Sequence, residues 1–326
     1  MSAAATAHEV VVTEFMDVAA LAPLQARHAV HHDPALYRDP DAIAALAGSA
    51  RALIVRNQTR VDAVLLARLP ALRVLGRLGV GLDNIDLAAC AARGIPVEAA
   101  VGTNDISVAE HTFAALLLLH KQAVRDSARI AAGDWPRQPQ GSHELAGRTL
   151  GIVGLGRIGR RVAARALAFD MQVIASDPGV TAEDCARLGV EPVSLPQLLA
   201  RSDALTLHCP LDDSTRGLLD AARLAQIKRG AVLVNTARGH IVDEAALIAA
   251  LRSGQLGGAW LDVYAQEPVG RDNPFRDVPN LWLSAHTAGL TEQAYTRASV
   301  HVVERVAARL AEAAGGPASG LSTGLV

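Results

Sequence analysis

Three segments of this chain carry side chains suited to acid–base or ion-pairing chemistry. They are Asn235-Thr236-Ala237-Arg238-Gly239, Asp262-Val263-Tyr264-Ala265-Gln266-Glu267-Pro268 and Ser284-Ala285-His286-Thr287-Ala288-Gly289. Each follows an apolar run that reads as a strand, and in open α/β sheets ligands gather outside the carboxyl ends of strands. They bring an arginine, a carboxylate and an imidazole together. Taken singly, each has an ordinary explanation: Arg238 as a surface cation, Glu267 as a loop carboxylate, His286 as a satisfied strand-end imidazole.

A fourth segment is more specific. Thr149 to Gly159 is an apolar strand breaking into a G-x-G-x-x-G turn at Gly154, Gly156 and Gly159, followed by a helical run from Arg157 to Phe169. Gly154 permits the tight turn, Gly156 lets backbone N–H groups approach a pyrophosphate at the helix N-terminus, and Gly159 lets helix and strand pack closely. A second apolar strand, Met171 to Ser176, ends at Asp177, 18 residues beyond Gly159. An acid there accepts hydrogen bonds from an adenosine ribose. Pro178, Gly179 and Val180 follow, so no arginine stands ready for a 2′-phosphate, which the carboxylate would repel. The expected cofactor is NAD rather than NADP.

These residues need a scaffold, and the pattern supplies one. Strands alternate with helical stretches throughout, as in parallel sheets covered on both faces. The expected fold class is α/β, with two Rossmann-like or flavodoxin-like domains of parallel strands and a cleft between them. Strands are expected at Glu9 to Phe15, His28 to His32, Ala52 to Arg56, Arg73 to Leu78 and Ile95 to Glu98, with helices such as Asp41 to Ala47 and Asp62 to Arg68 between them. In the nucleotide half, six strands are expected: Leu150 to Val153, Gln172 to Ala175, Ala204 to His208, Ala231 to Asn235, Ala259 to Asp262 and Leu281 to Ser284. Ser107-Val108-Ala109-Glu110 reads as an S-x-x-E capping box opening an apolar helix that runs to about Lys121. A helix from about Glu292 to Ala311 is expected to return to the first half. Residues 1–103 and 291–326 would then form a discontinuous substrate-binding domain, and 104–290 an NAD-binding domain.

Bulk composition narrows the function classes. With 31 basic and 33 acidic residues the net charge is -2, which gives no basic field for nucleic acid and no polybasic membrane patch. Only Lys121 and Lys228 are lysines. The three cysteines, Cys90, Cys185 and Cys209, lack C-x-x-C spacing, which argues against a disulfide framework or structural zinc and fits a reducing cytoplasm. His28, His31 and His32 cluster beside Asp33 without recognisable ligand spacing, so no metal site is assigned. His111 and His120 read as packing or surface residues. The longest apolar run, Phe113 to Leu119, is far too short to span a bilayer, and Met1 to His8 carries no targeting signal. Ala313 to Val326, rich in Gly, Ala, Ser and Pro, is expected to fray and is assigned no role.

Gly-Leu-Gly-Arg-Ile-Gly at 154–159, Asn-Thr-Ala-Arg-Gly-His-Ile-Val-Asp-Glu-Ala-Ala-Leu at 235–247, Asp-Val-Tyr-Ala-Gln-Glu-Pro at 262–268 and the His286 segment occur in that order. With Gly79-Val80-Gly81-Leu82-Asp83-Asn84-Ile85-Asp86 and Ser107-Val108-Ala109-Glu110, the chain resembles the D-isomer-specific 2-hydroxyacid dehydrogenase family over nearly its whole length. The resemblance implies that Arg238 binds a substrate carboxylate, that His286 donates or accepts the proton, and that Glu267 orients and charges His286. Each role suits its chemistry: a guanidinium fork holds a carboxylate through two parallel bonds, and an imidazolium can protonate the carbonyl oxygen as hydride reaches its carbon. A carboxylate on the other ring nitrogen would favour the charged imidazole. The resemblance further places backbone N–H groups of Gly79, Val80 and Gly81 on the substrate carboxylate. It sets Arg157 and Ile158 along the pyrophosphate, Asp177 on the ribose, and Cys209, Pro210, Thr236, Ala237 and Asp262 along the remaining NAD, with Asp262 on the nicotinamide side.

Two positions depart from the family pattern. Ala285 stands where many members have Pro before the histidine, and Asp212 replaces a frequent Thr. Neither removes a reacting group. Val55 to Val61 resembles the segment with which phosphoglycerate dehydrogenases hold a distal phosphate, Arg56 being the matching cation, so a substrate with a second anionic end is expected. Glu14-Phe15-Met16-Asp17, Gly76 to Gly81 and Ser284-Ala285-His286 are similar to sulfolactate dehydrogenases within that branch. The chain lacks the long C-terminal regulatory extension of many phosphoglycerate enzymes, and formate dehydrogenases would have Gln at the place of Glu267. The family also implies a homodimer, with the helix after Ser107 near its interface. An alternative from another class is an NAD-sensing corepressor, since the same fold and triad occur in such regulators.

Overall fold

The computed structural model describes residues 8–121, 127, 129–135, 137 and 141–313. The expectations for the N-terminal residues up to 7 and for the tail beyond Ala313 fall outside them. The chain divides into two compact units, Met1–Asn104 with Thr291–Val326, and Asp105–Leu290.

The first unit is built on β1 (Val10–Val12), β2 (Val30–His32), β3 (Ala52–Val55), β4 (Val74–Arg77) and β5 (Val97–Ala99). They lie in the order β2-β1-β3-β4-β5 and every pairing is parallel. β1 and β3 are buried throughout, as expected of strands covered on both faces. The helix Glu292–Glu312 packs on this sheet through Val302, Val303, Val306 and Leu310. A Cβ on Gly76 of β4 would stand 2.7 Å from the Val302 side chain, so the helix sits directly on that strand. Buried Glu98 on β5 accepts from Arg305 Nε at 2.7 Å and Arg309 Nε at 2.6 Å, which fastens the helix to the sheet edge. Burial pushes the Glu98 carboxyl up, but the two guanidinium groups outweigh it and hold the group below its ordinary value.

Among its described residues the second unit carries seven parallel strands: β6 (Thr149–Val153), β7 (Gln172–Ser176), β8 (Glu191–Pro192), β9 (Ala204–Leu207), β10 (Ala231–Asn235), β11 (Leu256–Leu261) and β12 (Leu281–Leu283). Their order is β12-β11-β10-β9-β6-β7-β8. One apolar core gathers Leu205, Leu233, Leu247 and Leu261, and another gathers Leu116, Leu150, Val162 and Val234. The chain winds outward in both directions from β6, so the strand order reverses between β6 and β9, the place where doubly wound sheets open a crevice.

Two expectations need correction. The sheet has a seventh strand, β8, a two-residue exposed edge whose brevity hides it from any periodicity. The capping box does not form: the helix starts at Asp105, ahead of it, and runs to Lys121. Buried Ser107 instead donates its hydroxyl to the Ala288 carbonyl at 2.7 Å, and Glu110 pairs with Arg165 at 3.2 Å. A long-range acceptor has taken the serine from its local role.

Candidate active site

Because all strands of the second unit are parallel, their carboxyl ends share one edge. Along it stand His286 past β12, Asp262 and Glu267 past β11, Arg238 past β10, Cys209 past β9, Gly154 past β6 and Asp177 past β7. From β6 to β12 there are four strand spacings, about 19 Å at ~4.8 Å each.

The arginine loop is held by its own backbone. Asn235, 1% exposed, accepts from Ala237 N–H at 3.0 Å and donates to the Arg238 carbonyl at 3.0 Å. Arg238 Nη1 donates to Ala237 O at 2.7 Å. Gly239 follows, and a Cβ there would fall 1.9 Å from the carbonyl carbon of Tyr264. Only glycine lets the Arg238 loop lie against the backbone that leads to Glu267.

Glu267 divides its carboxylate between two donors. Oε1 accepts the Tyr264 N–H at 3.0 Å, and Oε2 meets His286 Nδ1 at 2.7 Å. Burial pushes the Glu267 carboxyl up, but the His286 bond, the Tyr264 N–H and the charge of Arg238 outweigh it, holding the group below its ordinary value. With Nδ1 so engaged, Nε2 is the ring nitrogen left to exchange a proton with a ligand. The Tyr264 hydroxyl donates to Ser284 O at 2.7 Å, and burial pushes it up to about 12, so it stays a donor.

His286 has a left-handed backbone, φ 54°, uncommon for a residue other than glycine and costing of order 1–3 kcal/mol. The turn is held by Asp262, itself 1% exposed. Its carbonyl accepts His286 N–H at 2.8 Å, its Oδ1 accepts Thr287 N–H at 2.8 Å and Ser284 Oγ at 2.7 Å, and its Oδ2 accepts Ala288 N–H at 2.9 Å. Trp260 Nε1 lies 3.0 Å from Ser284 Oγ and 3.1 Å from His111 Nε2, which is 3.2 Å from the same hydroxyl. Sequence reasoning included Ser284 in the histidine segment without giving it a role, and read His111 as a packing or surface residue. The only local signal was position, Ser284 two residues before the histidine.

The residues at β6 fit a dinucleotide. Gly154 has φ 90°, and a Cβ on it would collide with the Cys209 backbone at 2.6 Å, so the turn abuts the end of β9. A Cβ on Gly159 would meet Gly154 O at 2.2 Å, whereas one on Gly156 would meet nothing within 4 Å. Gly156 is therefore not demanded by packing; the open space above it, at the N-terminus of the helix Arg157–Ala168, is where a phosphate can approach backbone N–H groups. Asp177 accepts Leu155 N–H and Gly179 N–H, each at 2.7 Å, tying this acid, the one expected on the ribose, to the glycine turn. Arg157 Nε donates to buried Asp105 at 2.8 Å, Ile158 is half-buried, and Thr236 Oγ1 lies 3.2 Å from Thr112 Oγ1. Exposed Pro210 follows Cys209, whose thiol burial pushes up to about 11, leaving it an inert neutral group.

In the first unit, Arg56 and the loop at Gly79, Val80 and Gly81 follow the neighbouring strands β3 and β4. The buried Glu14 carboxylate accepts the N–H groups of Arg56, Asn57, Gln58 and Thr59 at 2.8 to 3.2 Å, so that loop's backbone donors are already occupied. The Arg56 guanidinium stacks 5.5 Å from the centre of the Tyr295 ring. Val80 is 40% exposed.

The family model described as D-isomer specific 2-hydroxyacid dehydrogenase, NAD binding domain, matches residues 113–288. The chain belongs to this family. It is an NAD-dependent oxidoreductase of 2-hydroxy acids, and its cofactor is NAD. It is 47% identical over 299 residues to a (S)-sulfolactate dehydrogenase of Chromohalobacter salexigens, covering 91% of this chain and 97% of that protein. It is 44% identical over 262 residues to a D-3-phosphoglycerate dehydrogenase of Mycobacterium leprae, covering 80% of this chain but only 49% of that longer protein. Among solved structures, D-lactate dehydrogenase from Aquifex aeolicus, complexed with NAD and lactic acid, superposes with a TM-score of 0.82 at 29% identity, covering 96% of this chain and 99% of that one. These relatives are named as dehydrogenases, and none of them supports the regulatory alternative. No helix among the described residues is long and apolar enough to cross a membrane.

Proposed function

We propose that this enzyme interconverts a small 2-keto acid bearing a second anionic group, of the sulfopyruvate type, and its D-configured 2-hydroxy acid. The label S on sulfolactate does not conflict with D-specificity: the sulfomethyl group outranks the carboxylate, so (S)-sulfolactate has the spatial arrangement of D-lactate. Residues 104–290 act as the NAD-binding domain, and residues 1–103 with 291–326 as the substrate-binding domain.

Bound NADH supplies the hydride. Arg238 holds the substrate carboxylate, and His286 Nε2 gives its proton to the carbonyl oxygen as C2 is reduced; in the oxidation direction the neutral ring takes the hydroxyl proton. Glu267 orients the ring and stabilises its charge. Gly79, Val80 and Gly81 add backbone donors to the carboxylate. Arg56 meets the distal sulfonate or phosphate with its side chain, since Glu14 occupies the backbone donors of its loop. The observation that carries the reading is the 2.7 Å bond between His286 Nδ1 and Glu267, with the Arg238 loop seated by Gly239 against the same backbone. The family resemblance adds a homodimer, and the unpaired cysteines fit a cytoplasmic setting.

A steady-state screen of glyoxylate, hydroxypyruvate, sulfopyruvate, oxaloacetate and phosphohydroxypyruvate with NADH tests the substrate class. Acids with a distal anion should give the highest kcat/KM, and Arg56→Ala should harm those acids selectively. Equal loss on glyoxylate would sink the role given to Arg56.

A further inference from the structure

Two helices of the second unit begin side by side. Contacts between helix Asp105–Lys121 and helix Arg157–Ala168, with its C-cap Phe169, rise together along both. Arg157 Nε donates to Asp105 Oδ2 at 2.8 Å, Arg165 Nη2 donates to Glu110 Oε1 at 3.2 Å, and the Phe113 and Phe169 ring centres lie 4.8 Å apart. The helices therefore run the same way. Their N-termini, each with first-turn N–H groups that lack an intrahelical partner and the positive end of a helix dipole, meet beside the glycine turn. The second helix has no side-chain cap at Gly156 and opens on the space where a phosphate can approach. The first opens on Asp105, an acid in its own first turn and only 3% exposed. A carboxylate so buried needs a cation, and the side chain of the cation it has is itself 62% exposed. Arg157 is thus gripped at one nitrogen and open at the others. With Nε on Asp105, the remaining donors of the planar fork, on its two Nη atoms, project from a fixed base. Without that grip the side chain would sample many rotamers, and ordering it on a ligand would cost affinity.

We infer that Asp105 is a positioning residue for the cofactor: its carboxylate holds Arg157 so that the two Nη groups meet the NAD pyrophosphate at the joined helix ends. The inference rests on Arg157 lying along the pyrophosphate. Asp105 itself makes no bond to the cofactor in this role. Its negative charge would repel a phosphate if it faced one alone; paired with Arg157, it is neutralised and aims the guanidinium. The acid therefore helps binding only while Arg157 is present. That dependence separates aiming from a purely structural role.

The test measures dissociation constants of NADH, ADP-ribose and adenosine, by fluorescence titration and competition, on the full-length protein and its Asp105→Ala, Asp105→Asn, Arg157→Ala and Asp105→Ala/Arg157→Ala variants. Asp105→Ala leaves no buried charge unpaired, because Arg157 is mostly exposed, and should fold. It should weaken NADH and ADP-ribose by about tenfold, the worth of ordering one long side chain, and leave adenosine, which has no phosphate, within about twofold. Asp105→Asn, whose amide oxygen can still accept from Nε, should restore most of the affinity. In the Arg157→Ala background Asp105→Ala should no longer weaken NADH, since no guanidinium remains to be aimed. Should Arg157→Ala fail to fold with Asp105 buried and unpaired, the two Asp105 variants still decide. The inference is overturned if Asp105→Ala binds NADH within about twofold of wild type, or if Asn and Ala are weakened alike. It is equally overturned if both bind NADH more tightly, which would make Asp105 a competitor of the phosphate, or if adenosine weakens in step with NADH. A weakened Arg157→Ala beside an unaffected Asp105→Ala defeats this inference alone. An Arg157→Ala with unchanged NADH affinity defeats the pyrophosphate assignment of Arg157 with it.

Discussion

Replacing Glu267 by Gln removes a charge and keeps the shape. In the native site the carboxylate serves two donors, Tyr264 N–H at 3.0 Å and His286 Nδ1 at 2.7 Å. An amide has one oxygen, so its NH2 group must face one of them. A hydrogen bond to a charged group is worth about 1.5–3 kcal/mol. The side chains of His286 and Glu267 are 50% and 35% exposed, so water screens the pair and the low end applies, about 1.5–2 kcal/mol. At about 1.4 kcal/mol per decade, the rate of keto acid reduction should fall by roughly 10- to 30-fold. NADH affinity should be unchanged, since Glu267 is given no part in holding the cofactor. The sign with pH follows from the depressed Glu267 carboxyl. The wild-type pair persists to acid pH and is lost only as pH falls through the depressed value, a limb that Glu267→Gln lacks. Single-turnover stopped-flow oxidation of bound NADH, paired with a fluorescence titration, measures both quantities. A variant with the full wild-type rate, or one whose NADH affinity falls as far as its rate, would refute the reasoning.

Asp177→Ala leaves the Leu155 and Gly179 N–H groups without their acceptor. It should raise KM for NADH about tenfold and narrow the preference over NADPH; unchanged ratios would remove Asp177 from cofactor selection. Gly239→Ala must push the Arg238 loop off Tyr264, where a Cβ would lie 1.9 Å from backbone, and should cost about a hundredfold in kcat/KM by steady-state assay. The Glu98 carboxyl is depressed by Arg305 and Arg309, so its stabilisation is complete above the ordinary value of 4.5 and lost as pH falls through the depressed one. Glu98→Gln should cost about 3 kcal/mol in urea unfolding at neutral pH and flatten the acid side of the stability profile.

What the sequence made legible was short-range. The apolar strands, the glycine turn before the helix Arg157–Ala168 and the acid at the end of β7 are signalled within a few residues of themselves, and the two sheets follow from strand–helix alternation. Strand ends shifted where local propensity is weak, as at β11, which begins at Leu256 and runs through Gly257 and Gly258 before the expected Ala259. The supporting contacts were not legible because they join distant residues. His111 and Trp260 are 149 positions apart, and Ser107 reaches the Ala288 carbonyl across 181. Nothing in the local pattern separates such a buried polar side chain from a helix cap or a surface group. Glu14 is a similar case, its four backbone partners lying 42 to 45 residues away.

The central claim is that the His286 imidazole, oriented by Glu267, delivers the proton to a small acid held by Arg238. Its most direct test is the sulfopyruvate-dependent oxidation of NADH by His286→Ala, with the NADH dissociation constant measured on the same protein. The account predicts a loss of about 10²–10⁴ in kcat at unchanged NADH affinity. Turnover at the wild-type rate, or a collapse of NADH binding that itself explains the lost rate, would contradict it.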